Sequence, residues 1–414
     1  MWYAIVCHLE SAQSHFEPSR AGSRGRISTM KPVPYYVLAL AMAIPALLVG
    51  VEIPTWRFLG SETYALQSDL RVVYTPAYML RTGQAKDIYD FPAIRRNQAE
   101  LVASDNGALP FLHPAYEAVV FMPLTFFPYR AAYFVWAGVN FAILGLICLL
   151  LRPCLPDLSA AGPKWMLPAL LVGFSPVAVT IMEAQDSLLL LLVVVLAYRR
   201  LGSSELQAGI WLGLGMFRFQ VLLPIVALFL LWRSLKFVAG WAIGSAAVLS
   251  ISAAITGVGA QIQYVKLLRQ MSSVSFWPML GRMPNLRGLF TACNFGMVPL
   301  VLASLCVFLA AAVIGARQEA QQRLLLAISV SALVTWFLFL HDLSVLALPV
   351  LLAINEAIGR RDWRRAALAS AVLSGFALFW FARDKLYLGA LCTLFFFGTQ
   401  VAQLWGQRKE AEML

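Results

Sequence analysis

The residues able to do chemistry in this chain are few, and they sit at the edges of apolar runs. Asp69 stands beside Arg71 and ahead of Tyr74 in the polar, aromatic-rich stretch Ser68 to Asp90, which also holds Tyr78, Asp87 and Tyr89. Glu183, Gln185 and Asp186 crowd a short turn between two apolar runs. Arg218 and Gln220 alternate with Phe217 and Phe219, and His341 precedes Asp342 where another run ends. Ionisable groups at a membrane edge are costly to keep and therefore informative. One carboxylate suffices to take the proton of an attacking hydroxyl, and guanidinium groups stabilise a departing phosphate. That set suits a group already bonded to phosphate, which leaves without a protonating acid, and differs from the paired carboxylates of glycoside hydrolysis.

Each set has a plainer reading as well. Asp69 can be the N-cap of a helix beginning at Leu70, and Glu183 with Asp186 can be a solvated turn. Arg218 can snorkel from a hairpin tip to the interface. His341 and Asp342 can be a satisfied pair closing a helical turn.

Missing motifs narrow the chemistry. No DxD sequence is present to hold Mg²⁺ on a nucleotide diphosphate sugar, only the spaced Asp87 and Asp90, and there is no P-loop or Rossmann fingerprint. Outside the first 29 residues the histidines are His113 and His341, so no HExxH pair exists. A soluble nucleotide-sugar donor is therefore not expected and a lipid monophosphate sugar fits better; no metal-binding residues and no cofactor are assigned, and the residues leave metal dependence open.

The elements that must position these groups are membrane helices. Of 414 residues, 60% are hydrophobic and 13% charged, far from soluble composition, and apolar runs recur near the ~20 residues that a crossing helix needs. An all-α, polytopic transmembrane protein follows. The net charge of +11 reflects Lys and Arg in short loops, as the positive-inside rule requires, rather than a nucleic-acid partner. Six cysteines without a CxxC, with Cys148, Cys306 and Cys392 inside apolar runs, exclude a disulfide framework or zinc site.

In chain order, residues 1–29 read as a disordered or mis-assigned leader, with Met30–Lys31 the more natural start. The membrane domain spans 30–405 and a cytoplasmic tail 406–414. A first span at 33–51 leads to a long outer loop, 52–113, and 114–128 reads as a re-entrant or interfacial helix. Further spans are expected at 131–151, 166–182, 187–198, 206–217, 219–232, 237–257, 298–315, 324–340, 343–358, 366–381 and 386–404, roughly twelve in all. This places both termini in the cytoplasm, with Arg199, Arg200, Arg233, Lys236 and Arg360 inside. An alternative makes 114–128 a true crossing and fuses 206–232 into one broken helix, which exports the Arg199–Arg200 pair. A second outer loop, 258–297, carries Lys266, Arg269, Arg282 and Arg287 without an acid. A basic outer loop calls for an anionic partner such as a lipid headgroup or lipid phosphate.

Several short patterns recur in a familiar order. Asp69–Tyr74 is followed by Gly83 and Tyr89–Asp90, then by His113–Pro114, Pro123–Leu124, Pro128–Tyr129, Trp136 and Asn140. Ala184–Gln185 precedes a Leu run, and Ala208–Gly209 with Gly213 precedes Arg218 and Gln220. Met283 to Gly288 (MPNLRG) and His341–Asp342 close the series. Over about residues 33–358 the chain resembles the integral-membrane glycosyltransferases of family 87, which include polyprenol-phosphate-mannose-dependent mannosyltransferases. The resemblance implies a GT-C fold with an extracytoplasmic cleft under the first outer loop, and inverting transfer from a polyprenyl-phosphate sugar. It implies that Asp69 is the base and His341 the family's late histidine. Two departures stand out: the family's Gly-Gln-x-Asn reads Ala184-Gln185-Asp186-Ser187, and its Lys in K-x-Q is Arg218.

The expectation is thus an inner-membrane transferase moving a hexose or pentose from a polyprenyl phosphate to a lipid-linked or cell-envelope acceptor. Asp69 is the base, and Arg218 and Arg287, with Arg71 less directly, hold the phosphate. Tyr74, Gln185, Gln220, Asn285, His341 and Asp342 shape the pocket, and membrane lipids surround it. A lipid or solute transporter, an inactive scaffold, or a GT-C enzyme acting on protein are the alternatives. A transporter should hold its charges near the bilayer midplane.

Overall fold

Apolar runs in a bilayer must satisfy their own backbone N–H and C=O groups, and the helix does so within one segment. The computed structural model describes residues 35–102, 107–271 and 280–413, and among them every regular element is helical. The leader 1–29 lies outside the described residues. Residues 1–37 and 38–414 form separate units, and the groups singled out for chemistry all belong to the second.

Five described helices are long and apolar enough to cross a membrane: Tyr129–Cys154, Leu235–Gln270, Met297–Gly315, His341–Gly359 and Asp384–Gly406. A sixth arises if Glu205–Leu214 and Met216–Leu231, which meet at 69°, count as one. That shape fits one broken crossing or a hairpin dipping in from one side. This is an all-α membrane protein. Fewer helices reach spanning length than the twelve runs suggested, because several runs are interrupted. Residues 166–182 divide into Met166–Val172 and Ser175–Met182 at Gly173, where a Cβ would lie 2.6 Å from the Cβ of Leu48. The run 324–340 is helical only over Ala320–Val334.

The segment 52–113, expected as the first outer loop, is built rather than loose. It contains the helices Glu62–Gln67, Leu70–Arg81 and Phe91–Val102. In Leu70–Arg81 the buried Leu70, Val73, Tyr74 and Ala77 recur at helical spacing and form one apolar face. That face packs on the short Ala115–Phe121 helix and the turn after it. The Tyr74 hydroxyl donates to the Phe127 carbonyl at 2.8 Å, and its ring meets Tyr129 edge-on at 5.2 Å. The segment 258–297, expected as the second outer loop, begins as a continuation of the helix that starts at Leu235, bent at Gly257, whose φ of +79° is available cheaply only to glycine.

The tightest crossing in the described chain joins that helix to Glu205–Leu214. Gly209 and Gly213 face Gly240 and Gly244, the small-residue spacing that lets membrane helices approach backbone to backbone. A Cβ at Gly209 would lie 2.0 Å from the Phe237 carbonyl oxygen, and one at Gly240 would lie 2.0 Å from that of Leu206. Gly240→Leu is therefore expected to cost at least the ~1–3 kcal/mol of an overpacked core, seen as a lower melting temperature in detergent. An unchanged melt would mean that this pair is not held in close register.

Candidate functional site

Four helix N-termini meet at one place. Asp69 precedes Leu70–Arg81, Asp186 precedes Ser187–Leu201, Arg218 precedes Phe219–Leu231, and His341 begins the segment that becomes Ala347–Gly359. Helix N-termini favour negative charge, and the three carboxylates nearest them, Asp69, Asp186 and Asp342, sit there. Beside them lies a cavity of about 660 Å³ lined by Asp69, His113, Glu183, Gln185, Asp186, Arg218, Gln220 and His341 among others.

The turn from Glu183 to Asp186 is the scaffold of the site. Ala184 adopts φ +54°, a left-handed conformation that reverses the chain between two helices. The turn is held from behind: the Tyr133 hydroxyl donates to the Met182 carbonyl at 2.7 Å. Trp136 Nε1 and Asn140 Nδ2 donate to the Gln185 carbonyl at 3.2 and 3.3 Å. From the cavity side, the Asp69 backbone N–H donates to the Glu183 carbonyl at 3.1 Å, which fastens the start of Leu70–Arg81 to this turn.

Capping and chemistry compete for the Asp69 oxygens, and here capping loses. Asp69 occupies the N-cap position with helical φ and ψ and makes no side-chain cap bond. Its Oδ2 instead accepts from Gln185 Nε2 at 2.6 Å. Burial and the nearby charge of Glu183 raise this carboxyl to about 6, against the opposing pull of His341 and Arg71. His341 Nδ1 lies 3.1 Å from Glu183 Oε2, and its Nε2 lies 3.7 Å from Asp342 Oδ1.

Arg218 forms a second, drier centre. Its Nε donates to Asp186 Oδ1 at 2.9 Å and its Nη2 to Gln185 Oε1 at 2.6 Å, while Nη1 lies 3.3 Å from Asp342 Oδ1. Gln185 therefore joins Arg218 to Asp69, accepting from one and donating to the other. On the far side of Asp186 lies His113, 3.7 Å away and closely paired with Glu117. Burial, with Arg218 beside it, lowers His113 to about 4, so its ring is neutral at physiological pH.

Of the residues singled out from the sequence, Asp69, Gln185, Arg218, Gln220 and His341 line the cavity. Asp342 is fully buried against Arg218, and its Oδ2 accepts from the Phe339 N–H at 2.9 Å. Arg71 is buried close enough to Asp69 to lower its carboxyl, and Tyr74 points to Phe127; neither lines the cavity. Asn285 and Arg287 act on the irregular segment after Ala320–Val334. Asn285 caps Leu286–Ala292 and donates to the Thr335 carbonyl at 2.6 Å. Arg287 donates to the Trp336 carbonyl at 2.9 Å and stacks 3.8 Å from that ring. These bonds hold a segment that contributes Trp336, Phe337, Phe339 and Leu340 to the cavity wall. Sequence reasoning gave no individual role to Glu117 or Arg282. The former carried a signal: His113 and Glu117 stand four apart in an apolar segment, the spacing of neighbours on a helix face.

Two trios bring ligand atoms within 4.8 Å of one another, as a metal ion would need: Asp69, Glu183 and His341, and the fully buried His113, Glu117 and Asp186. In the second, Arg218 already supplies the positive charge. In the first, a protonated His341 between two carboxylates would do the same.

Removing Arg218 leaves Asp186 and Asp342 buried without their cation, a loss of about 3–5 kcal/mol for pairs of this kind. Arg218→Gln should accordingly lower the detergent melting temperature markedly, and Arg218→Lys less so. Melts unchanged in both would show that the two carboxylates are neutralised in some other way.

Residues 111–340 match the family model of glycosyltransferase family 87. No curated protein and no solved structure matches the chain.

Proposed function

This chain belongs to glycosyltransferase family 87, and from that premise we propose that it transfers a hexose or pentose, mannose among them, from a polyprenyl phosphate to a lipid-linked or cell-envelope acceptor. The coarser statement, that it is a membrane glycosyltransferase, rests on the family match together with the apolar helices. The finer reading assigns a GT-C enzyme of the inner membrane whose cavity opens on the extracytoplasmic face.

The step is an inverting displacement. The acceptor hydroxyl oxygen bonds to the anomeric carbon as Asp69 takes its proton. The bond from that carbon to the phosphate oxygen breaks on the opposite face, and its electron pair leaves with the polyprenyl phosphate. Gln185 holds the Asp69 carboxylate in place, and His341 lies behind Glu183 where it steadies the negative charge. The observation that carries this reading is the Asp69 carboxylate itself. It caps nothing, faces a cavity large enough for a sugar, and is basic enough to accept a proton at neutral pH.

With purified protein and a polyprenyl-phosphate sugar, Asp69→Asn should reduce transfer by about 10²–10⁴-fold, the usual worth of a general base, without lowering the melting temperature. Activity retained in this variant would remove Asp69 from the mechanism.

The pH profile follows from the same group. The base must be deprotonated, so transfer should rise with pH through about 6 and fall below it. A rate flat from pH 5 to 8 would point to a different proton acceptor. Incubation with EDTA should leave the rate unchanged, because Arg218 already bonds Asp186 in one trio and His341 already contacts Glu183 in the other. Loss of activity restored by Mn²⁺ or Mg²⁺ would instead assign the Asp69, Glu183 and His341 trio to an ion.

A further inference from the structure

A lipid phosphate needs a cation that carboxylates have not already neutralised. Arg218 does not meet that condition: it is buried, bonded to Asp186 and close to Asp342, so an incoming anion would meet two negative charges beside one positive. Arg287 is committed to the Trp336 carbonyl and ring and does not line the cavity. The cavity lining carries Asp69, Glu183 and Asp186, whose negative charge repels phosphate from their part of it.

Arg282 differs in its exposure and in lining the cavity, and its single carboxylate partner is exposed. It belongs to the short turn Leu280–Arg282 and lines the same cavity. Its Nη2 lies 2.8 Å from Asp384 Oδ1, with the arginine side chain 46% and the aspartate side chain 86% exposed. An ion pair between groups this exposed contributes little, so a phosphate can replace the carboxylate easily, and guanidinium binds phosphate through two parallel N–H bonds. Apolar side chains line the cavity as well, from Leu268 through Trp336, Phe337, Phe339 and Leu340 to Leu386, a surface suited to a prenyl chain.

We infer that Arg282 is the residue that receives the phosphate of the lipid donor, and that Asp384 occupies its guanidinium until the donor arrives. The inference rests on the donor class proposed above and adds a polarity to it. The phosphate lies at Arg282 and the sugar reaches toward Asp69, so the breaking bond falls between a cation and a base.

The test uses full-length protein in phosphatidylcholine nanodiscs and measures binding of a radiolabelled polyprenyl monophosphate. A polyprenol of equal length reports the tail alone. Arg282→Gln should weaken monophosphate binding about tenfold or more, the size of one lost charge-assisted contact, and leave polyprenol binding unchanged. Asp384→Asn should strengthen monophosphate binding severalfold. Both groups are exposed, so neither variant should alter the melting temperature. Wild-type affinity in Arg282→Gln, or weaker binding in Asp384→Asn, would overturn the inference. Competition by phosphatidylglycerol as strong as that by the polyprenyl monophosphate would also overturn it, by showing a general headgroup site. Its failure is separable from failure of the proposed function. An enzyme that transfers sugar with an unchanged donor KM in Arg282→Gln keeps the function and loses the inference. Protein that transfers no sugar yet loses phosphate-specific binding in that variant does the reverse.

Discussion

A guanidinium enclosed between two buried carboxylates is the constraint on which the rest of the site depends. Arg218 reaches Asp186 and Asp342, and each of the three residues stands at the start of a different helical segment. Water cannot screen such charges, so they must find one another, and a partner removed is far costlier than the pair is stabilising. Three segments distant in sequence are thereby brought to a common level, with their N-termini facing one space. Gln185 carries this fixed geometry outward, accepting from Arg218 and donating to Asp69.

The matched region, 111–340, contains the Glu183–Asp186 turn, Arg218 and the Asn285–Arg287 cradle, while Asp69 lies well before its start and His341 directly follows its end. Glu183 touches both of them. The Glu183 backbone carbonyl receives the Asp69 N–H, and its carboxylate faces His341. Asp69 is placed further by the apolar face of Leu70–Arg81, which seats on Ala115–Phe121. Asp69 therefore sits on a segment held both to the turn and to the Ala115–Phe121 helix.

Much of this was legible because an apolar chain has so few ionisable groups to interpret. The sets around Asp69, Glu183–Asp186, Arg218 and His341 stood out by contrast with their neighbours, and all four contribute to the one cavity. The number of crossings was less legible. Hydropathy registers apolar length but not the backbone breaks at Gly173 and Gly215 or the bend at Gly257, which depend on what packs opposite. Side-chain direction was also hidden. Whether Asp69 would cap its helix depended on Gln185 arriving from more than a hundred residues away. Arg287 stood out by its charge, while its bond to the Trp336 carbonyl depends on a segment some distance along the chain.

Ala184 holds a left-handed backbone that glycine would adopt freely and that an L-residue adopts at about 1–2 kcal/mol. A methyl group also removes most of the alternative conformers open to glycine. The bend between Glu183 and Gln185 is consequently preorganised: it has little room to relax when a ligand departs, and the carboxylate on one side and the amide on the other stay aimed. Any adjustment during a catalytic cycle must then come from the surrounding aromatic wall and the exposed rim, leaving the hinge of the site rigid.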